Sequence, residues 1–173
     1  MKEQPEHHTS DYYTVAYYNR ENLFDTEDDP HTFDDAFLPH AERGWSDKRL
    51  KKKVRKLGYA ISNIGIKTAN RMPAIIGLAE VENKYVIERL INSKFLNNHH
   101  YDMVHYDSSD ERGIDTALIY NKDQFEVINS DVFHVDITDE FGEPDYTRDI
   151  LLVEGLLNEE PIYIFVNHWP SRR

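Results

Sequence analysis

No cysteine occurs in the 173 residues, which excludes disulfides and thiolate-bound zinc and leaves the redox compartment open. No apolar run approaches the ~18 residues that a membrane-crossing helix needs. The first residues, Met-Lys-Glu-Gln-Pro-Glu-His-His, lack the apolar core of a secretion signal. A cytoplasmic location is the default expectation, and an exported mature chain would read the same. Also missing are a Walker phosphate loop, a Gly-x-Ser-x-Gly elbow, a dinucleotide fingerprint and His-Glu-x-x-His, so the usual nucleotide, serine-hydrolase and zincin readings have no support. Positive charge is scarce. Against 32 Asp and Glu stand 20 Lys and Arg, a net −12 that disfavours coating nucleic acid through bulk electrostatics. A nuclease that collects metal on carboxylates and touches phosphate with a few local cations remains compatible with it.

What is present suffices for one ordered domain, with 39% apolar residues, 11 Tyr and 8 Phe. A domain near this size buries roughly 70% of the surface its unfolded chain exposes. Residues 1–11 read as a polar tail and residues 12–173 as the domain. Residues 12–18, β-branched and aromatic, predict a strand leading into Asn19. The acidic stretch 25–40 predicts a surface insertion. Its opening, Asp25 to Pro30, is no EF-hand loop, because Pro30 stands where the turn needs glycine.

A helix is predicted from an N-cap at Ser46, with Leu50, Val54, Leu57, Ile61 and Ile64 on one face. Its seven basic residues between Lys48 and Lys56 read as a solvated outer face, or as a nucleic-acid track. A loop lies between Gly65 and Pro73, and 74–79 reads as a central strand. Asn83 caps a second helix through about Leu96, with Tyr85, Val86, Leu90 and Ile91 inward. Strands follow at 101–106, 115–120, 125–136 and 150–157, the last turning back through Asn-Glu-Glu-Pro into 162–167. That order implies a mixed α/β (α+β) fold, a largely antiparallel sheet with helices on one face.

Short polar motifs close several of the apolar runs. Glu80 ends the most apolar strand, either as a loop glutamate or as a carboxylate ligand for Mg²⁺ or Mn²⁺. Glu82 and Asn83 read as a helix start. Asn19 is a turn residue or an amide donor to a phosphate oxygen. His168 ends Ile-Phe-Val-Asn-His, where an imidazole can donate to a phosphate in its transition state or act as general acid. Arg112 is a candidate phosphate contact because guanidinium geometry matches phosphate oxygens. Asp115 and Arg148 stand at strand starts, where an internal Arg–Asp pair explains either equally well.

Taken in order, Tyr-Asn-Arg-Glu-Asn-Leu-Phe-Asp (18–25), Gly-Leu-Ala-Glu-Val-Glu-Asn (77–83), Arg-Gly-Ile-Asp (112–115) and Asn-His-Trp-Pro-Ser-Arg (167–172) resemble the endonuclease/exonuclease/phosphatase superfamily, the deoxyribonuclease I-like group. The resemblance runs over about residues 12–173 and implies an α/β sandwich with metal-dependent hydrolysis of phosphoesters. It assigns Asn19 and His168 to catalysis, Glu80 to the metal and Arg148 to phosphate. The substrate would be a phosphate ester, with nucleic acid among the candidates.

Members of the family continue into a Gly-Asp-x-Asn motif, whose Asp helps activate water, and an Asp-His motif. Neither a Gly-Asp nor an Asp-His dipeptide occurs here. The expectation is therefore the family's N-terminal half with the C-terminal half missing, weakly active or inactive alone. A half-sandwich would leave one apolar sheet face bare, inviting self-association or docking of the missing half. The alternatives are a non-catalytic acidic interaction domain and a truncated gene product.

Overall fold

Two sheets lie face to face in the computed structural model, which describes residues 12–139 and 141–169. The tail expected at 1–11 and the Pro-Ser-Arg at 170–172 lie outside these residues. Strand β1 (Val15–Leu23) runs parallel to β2 (Ile75–Val81). Strands β3 (Tyr101–His105) and β4 (Asp115–Asn121) complete an antiparallel remainder, in the order β1-β2-β4-β3. The second sheet is antiparallel throughout: β5 (Phe125–Phe133), β8 (Ile150–Leu157) and β9 (Glu160–Val166), in that order. Between them a two-residue ladder joins β6 (Ile137–Thr138) to β7 (Pro144–Asp145). Helices α1 (Asp47–Asn63), α2 (Ile66–Ala69) and α3 (Lys84–Ile91) complete the fold. The α+β architecture with mostly antiparallel pairing agrees with the expectation.

Strand β2 reads as a continuous apolar run because both its faces are covered. Alternation sends Ile76 and Leu78 into a helix-side core with Leu50, Val54, Leu57, Ile61, Val86 and Leu90. It sends Ile75 into the inter-sheet core with Leu118, Phe125, Leu151, Val153 and Val166. Each fully buried Leu or Ile contributes about 1.5–3 kcal/mol relative to exposure.

Several local expectations shift. Ser46 is the N-cap of α1, but its hydroxyl makes no capping bond. Helix α3 ends at Ile91 rather than near Leu96. Tyr85 is exposed, and Ile87 takes the inner position instead. The reason is the phase set by the cap: Asn83 Oδ1 accepts the Val86 amide at 3.1 Å, and Val86, Ile87 and Leu90 then face inward. The 25–40 insertion is pinned down by buried Phe24, Asp34 and Leu38.

The inner face of the first sheet is covered by the second. The second sheet's outer face carries an exposed apolar patch, where Phe133 and Phe165 stack 6.3 Å apart near exposed Tyr163. Among the described residues no helix is long and apolar enough to cross a membrane.

One contact carries the chain toward a site. A Cβ on Gly77 would lie 3.1 Å from the Tyr17 ring and 3.3 Å from Val166. The bare glycine lets Val166, the last residue of β9, approach the middle of β2. Residues 167–169 then continue toward the strand ends where Asn19 and Glu80 stand.

Candidate active site

Because β1 and β2 are parallel, their C-terminal ends open at one edge, with Asn19 opposite Ala79. Both strands then bulge, between Asn19 and Leu23 and between Ala79 and Val81. Such an irregularity re-aims a side chain at a strand end. The bulges place non-glycine residues in left-handed backbone: Glu21 at φ 50°, Asn22 at φ 62° and Glu80 at φ 59°. Each costs on the order of 1 kcal/mol and persists only where surroundings enforce it. Here the Lys53 ammonium, from the supposedly solvated basic face, donates to the Glu21 carbonyl at 2.6 Å and the Asn22 carbonyl at 2.9 Å. The Asn22 amide donates to Glu80 Oε2 at 3.0 Å.

The structure brings Asn19, Glu80 and His168 together. Asn19 Nδ2 lies 3.2 Å from Glu80 Oε1 and 3.5 Å from His168 Nε2. His168 Nε2 lies 3.5 Å from Glu80 Oε1. The Glu21 amide donates to Asn19 Oδ1 at 2.9 Å, which turns the NH₂ toward the other two groups. Burial, then the Arg148 charge, hold the imidazole below its ordinary pKa, with Glu80 opposing them. A neutral ring at neutral pH follows. His168 Nδ1 is buried without a hydrogen-bond partner among the described residues.

Asn19, the Asn22 amide and His168 contact the Glu80 carboxylate, and none of them is a fixed cation. Among the described residues the carboxylate has no fixed cation against it, and a carboxylate of that kind at an open strand edge fits a hard divalent cation that keeps several waters.

The two arginines differ. Arg148 is buried and its guanidinium is spent on the protein: Nε donates to the His168 carbonyl at 2.7 Å, one terminal nitrogen to Asp110 at 2.8 Å, and the other to the Trp169 carbonyl at 3.2 Å. This geometry departs from the phosphate contact expected of it. The internal Arg–Asp pair is what the fold builds, because the chain must be held where it leaves β9. Arg112 is half exposed, 3.5 Å from Asp110, and close enough for its charge to lower the His168 pKa.

Two participants escaped the sequence reading. Asp110, buried, links both arginines. Tyr17 donates to the Asn167 carbonyl at 3.2 Å, and its pKa is raised by burial and then by Glu80. Its signal was available: two residues before Asn19, it falls on the same strand face.

Another grouping carries ligand-type atoms. His105, Asp107 and Asp115 place theirs within 4.8 Å of one another. Asp115 is already occupied there, accepting from Ser108 backbone N at 3.0 Å and lying 3.0 Å from His105 Nε2. The group reads as a brace for the 105–115 loop.

No curated protein matches this sequence. Among solved structures, the chain is similar to humanized TDP2 of D. rerio at 14% identity and TM-score 0.45, covering 70% of this chain and 43% of that one. An endonuclease/exonuclease/phosphatase family protein of Bacteroides thetaiotaomicron is 15% identical with TM-score 0.47, covering 88% and 49%. A mannosyl-6-phosphatase of the same organism is 14% identical with TM-score 0.46, covering 89% and 50%. The chain thus spans about half the length of the solved chains it matches. Residues 14–173 match the model of the Endonuclease/Exonuclease/phosphatase family, and the chain belongs to that family.

Proposed function

We propose that this chain carries the metal- and phosphate-binding part of a divalent-cation-dependent phosphoester hydrolase. The observation that carries it is the meeting of an amide, a carboxylate and an imidazole, each within 3.5 Å of the others, at one strand edge. Glu80 would hold Mg²⁺ or Mn²⁺, which when bound supplies positive charge to a phosphate oxygen and the leaving group.

The protein's own residues do the rest. Asn19 Nδ2 and the His168 imidazole serve as donors to phosphate oxygens as charge builds on them. Arg112, half exposed at the rim, contributes a guanidinium. Arg148 acts through His168, fixing its backbone carbonyl and adding to burial in holding the ring's pKa below its ordinary value. Losing one preorganised donor from such a site costs about 3 kcal/mol of barrier. The sequence has no Gly-Asp-x-Asn motif to activate water. Turnover by these 173 residues alone is therefore expected to be weak or nil.

The test is thermal unfolding of the purified chain in chelator, Mg²⁺ and Mn²⁺, paired with hydrolysis of bis(p-nitrophenyl) phosphate. Metal should raise the midpoint of the wild type and leave Glu80→Ala unmoved. Indifference to metal would sink the proposal and favour the acidic interaction domain. Brisk metal-dependent cleavage, lost in Glu80→Ala, would overturn the expectation of weak turnover.

A further inference from the structure

Helix α1 concentrates positive charge in an acidic chain. It holds seven of the 20 Lys and Arg but one of the 32 Asp and Glu. Three of the seven are taken up within the protein. Lys53 pins the Glu21 and Asn22 carbonyls, Arg49 donates to the Arg43 and Gly44 carbonyls, and Lys51 pairs with Asp47 at 2.7 Å. Lys48, Lys52, Arg55 and Lys56 are exposed and, among the described residues, have no hydrogen bond, ion pair or ring contact. Lys48, Lys52, Arg55 and the exposed ring of Tyr59 recur at four, three and four residues, which sets them in one stripe about 16 Å long. Tyr59 stands edge-on to Phe95 with ring centroids 5.3 Å apart, and the Lys94 ammonium lies 6.0 Å from the Phe95 centroid.

Solvation alone does not account for this arrangement. Like charges at i,i+4, such as Lys48 with Lys52 and Lys52 with Lys56, destabilise a helix, and cations in its first turns oppose its dipole. Mixed signs give solubility without that penalty, as the Lys84–Glu88 pair does on α3. The net charge of −12 repels a polyanion at long range, but physiological salt screens it beyond about 8–10 Å, so the local stripe governs contact. A row of unpaired cations ending on an exposed aromatic ring has the make-up of a single-strand platform, with charge for phosphates and a ring face for an unpaired base. A duplex, whose bases stay stacked inside, would use the cations alone. We infer that the outer face of α1 binds a single-stranded nucleic acid, with phosphates along Lys48, Lys52, Arg55 and Lys56 and a base on Tyr59. Lys53, on the same helix, reaches the turn whose Asn22 amide holds Glu80, so the stripe flanks the proposed catalytic edge. Naming nucleic acid as the substrate of that edge rests on the hydrolase reading; binding to α1 does not.

Fluorescence anisotropy of the whole chain in EDTA, where neither metal nor hydrolysis contributes, tests this with labelled oligothymidylate and oligouridylate of about 12 nucleotides. Saturable binding is expected at low salt, weakening as salt rises. The double variant Lys52→Gln/Arg55→Gln should weaken it at least about tenfold at low salt. It should also reduce the log–log salt slope by about 1.4, two phosphate contacts at about 0.7 each. Tyr59→Leu should weaken binding several-fold with the slope unchanged, because stacking releases no counterions. All three side chains are exposed, so α1 should stay helical by circular dichroism. The inference is overturned if neither oligonucleotide binds, if the double variant leaves affinity and slope unmoved, or if a hairpin duplex binds as tightly as the single strands. Recruitment of the wild type, and not of the double variant, to phosphatidylserine vesicles without oligonucleotide binding would make the face a membrane surface and overturn it too. A metal response in thermal unfolding with no oligonucleotide binding sinks this inference alone; binding by a chain indifferent to metal sinks the hydrolase reading alone.

Discussion

Breaking the buried pair between Arg148 and Asp110 is the sharpest perturbation this fold offers. The two side chains are 5% and 4% exposed, with 2.8 Å between nitrogen and oxygen. Removing one partner of such a pair strands the other charge, at a cost of about 3–5 kcal/mol. For a domain of this size each kcal/mol moves the unfolding midpoint by about 2–4 °C, so Asp110→Asn should lower it by roughly 10 °C. Arg148→Met should cost a similar amount, since it also removes the bonds to the carbonyls of His168 and Trp169. The double variant, with no stranded charge, should recover part of the loss, giving a coupling of about 1.5 kcal/mol or more.

A second readout separates positioning from general instability. Arg148 depresses the His168 pKa and Asp110 raises it. Histidine-ring NMR should therefore show the His168 midpoint moving up in Arg148→Met and down in Asp110→Asn. Single effects below about 1 kcal/mol that simply add, with an unmoved His168 titration, would refute the reasoning.

Three further outcomes are expected. Lys53→Met removes the cation that pins the Glu21 and Asn22 carbonyls, and should reduce the metal-dependent rise in unfolding midpoint while α1 stays helical by circular dichroism; an undiminished metal response would show that the clamp does not position Glu80. Gly155→Ala would drive a Cβ into the Glu126 carbonyl and the Phe125 ring, costing about 2 kcal/mol by overpacking, as measured by urea unfolding. Glu82 has its pKa pushed up to about 8 by burial, with Asp25, Asp34 and Asp29 adding to the rise against the Asp25 amide. Its folded value exceeds its unfolded one, so the stability it confers is full below the ordinary value of 4.5 and is lost as pH rises toward about 8. In metal-free buffer Glu82→Gln should flatten that decline by about 2 kcal/mol, discounting for the partly exposed carboxylate; parallel stability profiles for the two proteins would contradict it.

The amino-acid sequence by itself determined the elements whose cause is local. The three- and four-residue spacing of Leu50, Val54, Leu57 and Ile61 writes helix α1, and the apolar run of β2 writes a strand covered on both faces. The order of polar motifs was enough to nominate Asn19, Glu80 and His168. Only the tertiary structure decided that these three meet, because Asn19 and His168 are 149 positions apart and no periodicity encodes that distance. The same holds for Arg148, whose burial against Asp110 across 38 positions makes it a holder of His168. It holds too for Lys53, drawn from a helix face that looked solvated onto two strained carbonyls. Local chemistry fixes which groups a segment can offer; which charge is spent on the protein and which is left for a ligand depends on what long-range packing places beside it.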